Sequence, residues 1–157
     1  MASNRIDIDL NRPGSFVQNL IGTFFRGYGR RLADAAGNGA RTGLEDVMDE
    51  WKAQSTDLAP LKHGTLRRGI HSVVDVESGK LTGEISVTAI ESGHGGTFDY
   101  AEYIHDVFPQ VHGKSFKNPT TSGTIPEFLD KPMEDNGERW KRELEAAIRD
   151  GIRRRGF

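Results

Sequence analysis

Cysteine is absent from this sequence, which excludes a disulfide framework, a thiolate zinc site and a cysteine nucleophile. Apolar residues are scarce, at 35% of 157 positions, so the core is expected to be thin and much of the chain to be surface, arm or loop. No run approaches the ~18 apolar residues of a membrane-spanning helix. The opening Met1-Ala2-Ser3-Asn4-Arg5-Ile6-Asp7 lacks the apolar stretch of a secretory signal. A soluble protein made in the cytoplasm is expected, with no membrane partner. A basic excess is lacking too: the net charge is −2, whereas domains that grip bare nucleic acid usually carry a clear positive balance.

Glycine is plentiful, with 19 residues, and it weakens regular elements and marks bends. Ile6, Ile8 and Leu10 alternate with Asp7 and Asp9, which predicts a short strand or an extended arm within residues 1–14. From Phe16 the period becomes helical. Val17, Leu20, Ile21, Phe24, Phe25, Tyr28 and Leu32 form one apolar stripe. Gly37-Asn38-Gly39 is expected to interrupt that helix. A second follows, with Thr42 as its cap, Glu45 completing a capping box, and Leu44, Val47, Met48 and Trp51 on one face. One bent rod and a helical hairpin both remain open.

Ala59-Pro60 ends the helical part. Ile70, Ser72, Val74 and Val76 then alternate with His71, Val73, Asp75 and Glu77. A turn at Ser78-Gly79 leads into Leu81, Gly83, Ile85, Val87 and Ala89, again alternating. This predicts an antiparallel hairpin with one apolar face, for which the helices are the natural cover. Ser92-Gly93-His94-Gly95-Gly96 reads as a flexible break, and Phe98–Ile104 as a third strand or a short helical turn. Residues 107–126 show almost no periodicity and read as a long loop, of the kind that is functional or disordered. Met133, Trp140, Leu144, Ala147, Ile148 and Ile152 share the face of a final helix, with Arg139 and Glu143 among its i, i+4 pairs. The expected fold is a single α+β domain over 1–157: N-terminal helices and a C-terminal helix packed on a small antiparallel β-sheet, with a long loop and an N-terminal arm.

Chemistry-bearing motifs are few. His94, Glu102, His105, Asp106 and His112 fall within nineteen residues, but no pair has the i, i+4 spacing of a helical metal site. There is no G-x-S-x-G nucleophile turn and no glycine-rich phosphate loop. The carboxylates Asp49 and Glu50 are adjacent on a helix and point apart. No catalytic, metal or cofactor residue is assigned, and an enzyme is not expected. Arg30-Arg31, Arg67-Arg68 and Arg153-Arg154-Arg155 are short basic runs that read as solvated helix ends and a strand edge. Lys114-Ser115-Phe116-Lys117 alone interleaves an aromatic with basic residues.

Three patches carry a resemblance. Ala59-Pro60 followed by Gly64-Thr65-Leu66-Arg67-Arg68-Gly69-Ile70 resembles the "A-P … G-x-L-x-x-S-I" entry to the sheet in the small tail-completion and head–tail joining proteins of long-tailed bacteriophages. Tyr100-Ala101-Glu102-Tyr103-Ile104-His105 is similar to their "Y-A-x-Y-x-E/H" stretch, and Pro126-Glu127-Phe128-Leu129-Asp130-Lys131-Pro132-Met133 to their "P-x-F-L-x-P-A" helix entry. The match spans roughly residues 16–155. It implies a virion subunit in a ring, hexameric by the symmetry of the tail, between connector or head-closure protein and the tail tube or terminator. Genome DNA would pass through the lumen without sequence reading. Within that picture Ile6, Ile8, Leu10, Phe108, Phe116 and Lys117 are expected at subunit or partner contacts. The alternatives are a minor capsid or head-closure protein of the neck, and a small DNA-binding protein.

Overall fold

A computed structural model describes residues 1–9, 29–61, 64–77, 80–93 and 95–156. The expected helical stripe at 16–28, Leu10, the turn at Ser78-Gly79 and His94 lie outside the described residues. Strand β1 is Ala2–Asp9, helix α1 Gly29–Leu58 and the short helix α2 Thr65–Arg68. Strands β2 (Ile70–Glu77) and β3 (Lys80–Val87) follow, then β4 (Ile90–Gly93) and β5 (Gly96–Asp99). A helical run of α3 (Tyr100–Glu102), a π-helical turn (Tyr103–Val107) and α4 (Phe108–His112) precedes the last helix, α5 (Asp130–Arg154). Helices pack on small antiparallel sheets, the α+β class expected. One sheet has the order β1-β3-β2, and β4 pairs with β5 in the other.

Alternation decides which strand faces are buried. Leu81, Ile85, Val87 and Ala89 are buried, as the period-two pattern predicts. On β2 the inner face fades along the strand: Ile70 is buried, whereas Val76 is exposed. On β1, Ala2 and Ile8 are buried while Ser3, Arg5 and Asp7 are exposed. The segment is therefore a sheet strand and not a free arm. Ile8 is a core residue rather than a partner contact, because its side chain lies wholly out of solvent.

The chain divides into two compact units: residues 1–4, 49–72 and 84–135, and residues 5–48, 73–83 and 136–157. In the second unit, α1 runs unbroken through Gly37-Asn38-Gly39, where an interruption was expected. The reason lies in its partner. A Cβ on Gly39 would fall 2.5 Å from the Ala147 carbonyl oxygen, and one on Gly43 2.7 Å from the Ala147 methyl. A Cβ on Gly151 would fall 2.6 Å from the Ala35 carbonyl oxygen. These glycines let two helix backbones touch, and the packing outweighs glycine's poor helix propensity of ~1 kcal/mol per residue. Ala35, Ala36, Ala40 and Leu44 on α1, with Leu144, Ile148 and Ile152 on α5, are buried. Met48 lies against β3, where a Cβ on Gly83 would come 2.7 Å from its sulfur.

In the first unit, Trp51 is fully buried and its indole Nε1 donates to the Leu129 carbonyl at 2.7 Å. The Ile125 N–H donates to the Leu58 carbonyl at 2.9 Å. Thr124, Phe128 and Leu129 are buried, so this stretch is fastened to the core although it has no regular structure.

Gly39→Ala tests the helix contact. Propensity alone would stabilise by about 1 kcal/mol, while forcing a methyl onto a backbone carbonyl costs about 1–3 kcal/mol. The backbone cannot swing away, so net destabilisation is expected in urea unfolding. Gly93→Ala, with no atom within 4 Å of the added carbon, is the neutral control. A Gly39→Ala variant more stable than wild type would refute the contact.

Candidate assembly surface

The segment read as a flexible break is a hairpin. Its register pairs Ile90 with Asp99, Glu91 with Phe98, Ser92 with Thr97 and Gly93 with Gly96. Ile90 and Phe98 are about half exposed, at 55% and 52%. The hairpin therefore presents apolar side chains to solvent instead of burying them.

Asp99 joins the hairpin to the helical run. Its Oδ1 accepts from the backbone N–H of Ala101 at 3.0 Å and of Ala89 at 3.2 Å, capping α3 while tying it to the link between β3 and β4. Its Oδ2 lies 2.8 Å from the Met1 ammonium. Burial acts to raise the Asp99 pKa, but hydrogen bonds from that ammonium and from the Ala89 and Ala101 amides prevail and hold it below the ordinary value. Burial, with Glu91 and Tyr103 nearby, pushes the Tyr100 phenol up.

Residues 107–112, expected as loop, are helical, with Pro109 in the first turn of α4, where a missing N–H costs nothing. The helix widens just before it: the Phe108 N–H reaches the Tyr103 carbonyl, a five-residue step. Gly113 then stops the run at φ 88°, a left-handed conformation that glycine adopts without strain.

This geometry sets rings in a row. Phe98 and Tyr103 have centroids 5.8 Å apart, Tyr103 and Phe108 6.5 Å, and Phe108 and Phe116 5.1 Å. His112 lies 4.8 Å from Phe108. Val107 is 43% exposed and Val111 68%. Tyr103, Phe108 and Phe116 are half-buried against one another, and the exposed apolar groups around them are the kind of patch that marks a protein contact. The Met1 ammonium pairs there with Asp99 and Glu102, and the exposed Lys114 and Lys117 flank Phe116. From Glu84 through Gly113 the chain has five carboxylates and no lysine or arginine.

Two expected contact residues, Phe108 and Phe116, thus meet on one surface. Lys117 is exposed in the same irregular stretch, where the Lys114 ammonium pairs with Glu127 at 3.2 Å. Ile6 is half-buried in β1. Phe98, Tyr103 and Val111 were not singled out from sequence. Their signal was an excess of apolar residues in short elements with no opposite polar face.

The histidine group scatters. Among the described residues no three His, Asp or Glu side chains are placed to hold a metal ion. His105 is buried. Its Nδ1 lies 2.7 Å from Asp106 Oδ1, its Nε2 3.8 Å from Asp130 Oδ2, and its ring stands edge-on to Phe128 at 5.4 Å. Asp130 in turn accepts from Asn4 Nδ2 at 2.8 Å. These contacts hold the helical run against the start of α5. No family model, curated protein or solved structure matches this chain.

Asp99 gives a pH test. Because its folded pKa is depressed, its contribution is full above the unfolded carboxylate value of about 3.9 and is lost as pH falls through the folded value. Asp99→Ala should lower neutral-pH stability by about 1 kcal/mol, as for a lost helix cap. Asp99→Asn, which still caps, should flatten the acid limb of stability against pH. An Asn variant with the wild-type acid limb would discard Asp99 as its source.

Proposed function

We propose that this chain is a structural subunit of a long-tailed phage virion, forming a ring at the head–tail junction or at the head-proximal end of the tail. The half-buried aromatic row from Tyr103 to Phe116, bordered by the exposed Phe98, Val107 and Val111, is the observation that carries the reading. A small fold gains nothing by leaving Ile90, Phe98, Val107 and Val111 in water unless a neighbour covers them. The three patches of family resemblance also fall where elements join. Gly64–Ile70 forms α2 and enters β2, Tyr100–His105 is the helical run after the hairpin, and Pro126–Met133 leads into α5. A ring needs two different patches on each subunit, and the chain is uneven enough to supply them. No helix among the described residues is long and apolar enough to cross a membrane.

A stop codon in this gene, in its native phage or prophage, tests the proposal by negative-stain electron microscopy of the lysate. Filled heads beside free finished tails are expected for a joining subunit, and overlong or ragged tails for a terminator. Infectious intact particles would end the virion reading and favour the DNA-binding one.

A further inference from the structure

The acidic aromatic surface has a counterpart on the same chain. The first unit carries seven basic and twelve acidic residues, net −5, and the second fourteen and eleven, net +3. The excess in the second unit is concentrated at the end of α5. Arg149, Arg153, Arg154 and Arg155 stand within seven residues, all four exposed. The Arg155 N–H donates to the Ile152 carbonyl at 3.2 Å; among the described residues no side-chain hydrogen bond or ion pair involves any of the four. In the first unit, the stretch from Glu84 to Gly113 holds carboxylates without a single lysine or arginine. There Glu91 sits directly across the hairpin from the exposed Phe98.

Arginine suits such a surface chemically. Its guanidinium is planar, weakly hydrated and permanently charged, so it stacks on an aromatic face while its N–H groups bond a carboxylate. A lysine-coated partner would lack the stacking. A nucleic acid would be repelled by the carboxylates around the rings. The surface therefore fits a partner presenting arginines, and this chain presents four.

We infer that the aromatic-acidic surface around Phe98, Tyr103 and Phe108 of one copy receives the arginine-bearing end of α5, Arg149 to Arg155, from a second copy. The contact is heterologous, because the two faces differ, so each copy uses both and assembly runs head to tail. Whether it closes depends on the rotation between copies. The inference deepens the ring proposed above and rests on that reading for closure, but the pairwise contact stands on charge and exposure alone.

Two variants of the full chain separate the faces. One is Phe98→Ser with Glu91→Lys and Val111→Ser; the other is Arg153→Gln, Arg154→Gln and Arg155→Gln. All six positions are exposed, so each variant should keep the wild-type circular dichroism and unfolding midpoint, which are measured first. Sedimentation velocity in low salt then reads association. Wild type is expected to form oligomers that weaken as salt shortens the ~10 Å screening length of 0.1 M ionic strength. Each variant alone is expected to sediment as a monomer. Mixed, they should form a 1:1 dimer and nothing larger, since each retains one intact face and the complex is capped. A wild type that stays monomeric, or a mixture that does, overturns the contact. An arginine variant that still associates like wild type assigns the rings to one another instead and also overturns it. If the arginine variant loses salt-dependent binding to duplex DNA but not self-association, those arginines belong to nucleic acid. The stop-codon lysate reports on the virion role separately: intact phage with a working contact defeats only that role, and defective phage with monomeric protein defeats only the contact.

Discussion

Backbone touching backbone between α1 and α5 is the constraint on which the second unit depends. Gly39, Gly43 and Gly151 leave no room for side chains, since each added Cβ would fall within 2.7 Å of the opposite helix. Close approach then places Leu44, Leu144 and Ile148 where water is excluded. Glycine in mid-helix costs about 1 kcal/mol relative to alanine. Burying one leucine-sized side chain contributes about 1.5–3 kcal/mol. Packing therefore wins, and α1 stays helical through a stretch whose own composition argues for a break.

The first unit is held differently, by polar groups at the ends of short elements. Trp51 bonds the Leu129 carbonyl, Asp99 caps one turn while holding another segment, and His105 lies between Asp106 and the start of α5. Short elements make few interior contacts, so their caps carry a larger share of the order. The same shortness leaves Phe98 and Val111 exposed. A four-residue strand or a five-residue helix has no hidden face large enough for every apolar side chain.

Much of this was legible in the chain before folding. The alternation at 81–89 named the buried face of β3 residue by residue, and the i, i+4 stripe of α5 named Trp140, Leu144, Ile148 and Ile152. Arg139 and Glu143 pair at 2.7 Å, as their spacing predicts. The candidate surface was half legible. Phe108 and Phe116 stood out as aromatics in an aperiodic stretch, while Ile8 was misassigned because a strand and an arm share one alternating pattern. The hairpin β4–β5 was hidden by its glycines. Gly93, Gly95 and Gly96 suggest a break to any reading based on propensity, although of the three it is Gly96, at φ 109°, that takes a conformation favouring glycine.

Periodicity and composition depend on neighbours within a few positions, and they determined the helix and strand faces and the α+β class. What they could not determine depends on partners distant in sequence. Gly39 is a helix breaker beside Asn38 and a packing surface beside Ala147, more than a hundred residues away. Pro109 is a loop residue by composition and a first-turn residue of α4 once Tyr103 and Phe108 are aligned in one run. Phe98, Tyr103, Phe108 and Phe116 are four separate aromatics in the sequence. Only the fold sets them in a row, because ring-to-ring distance is decided by how the chain returns on itself and not by its order.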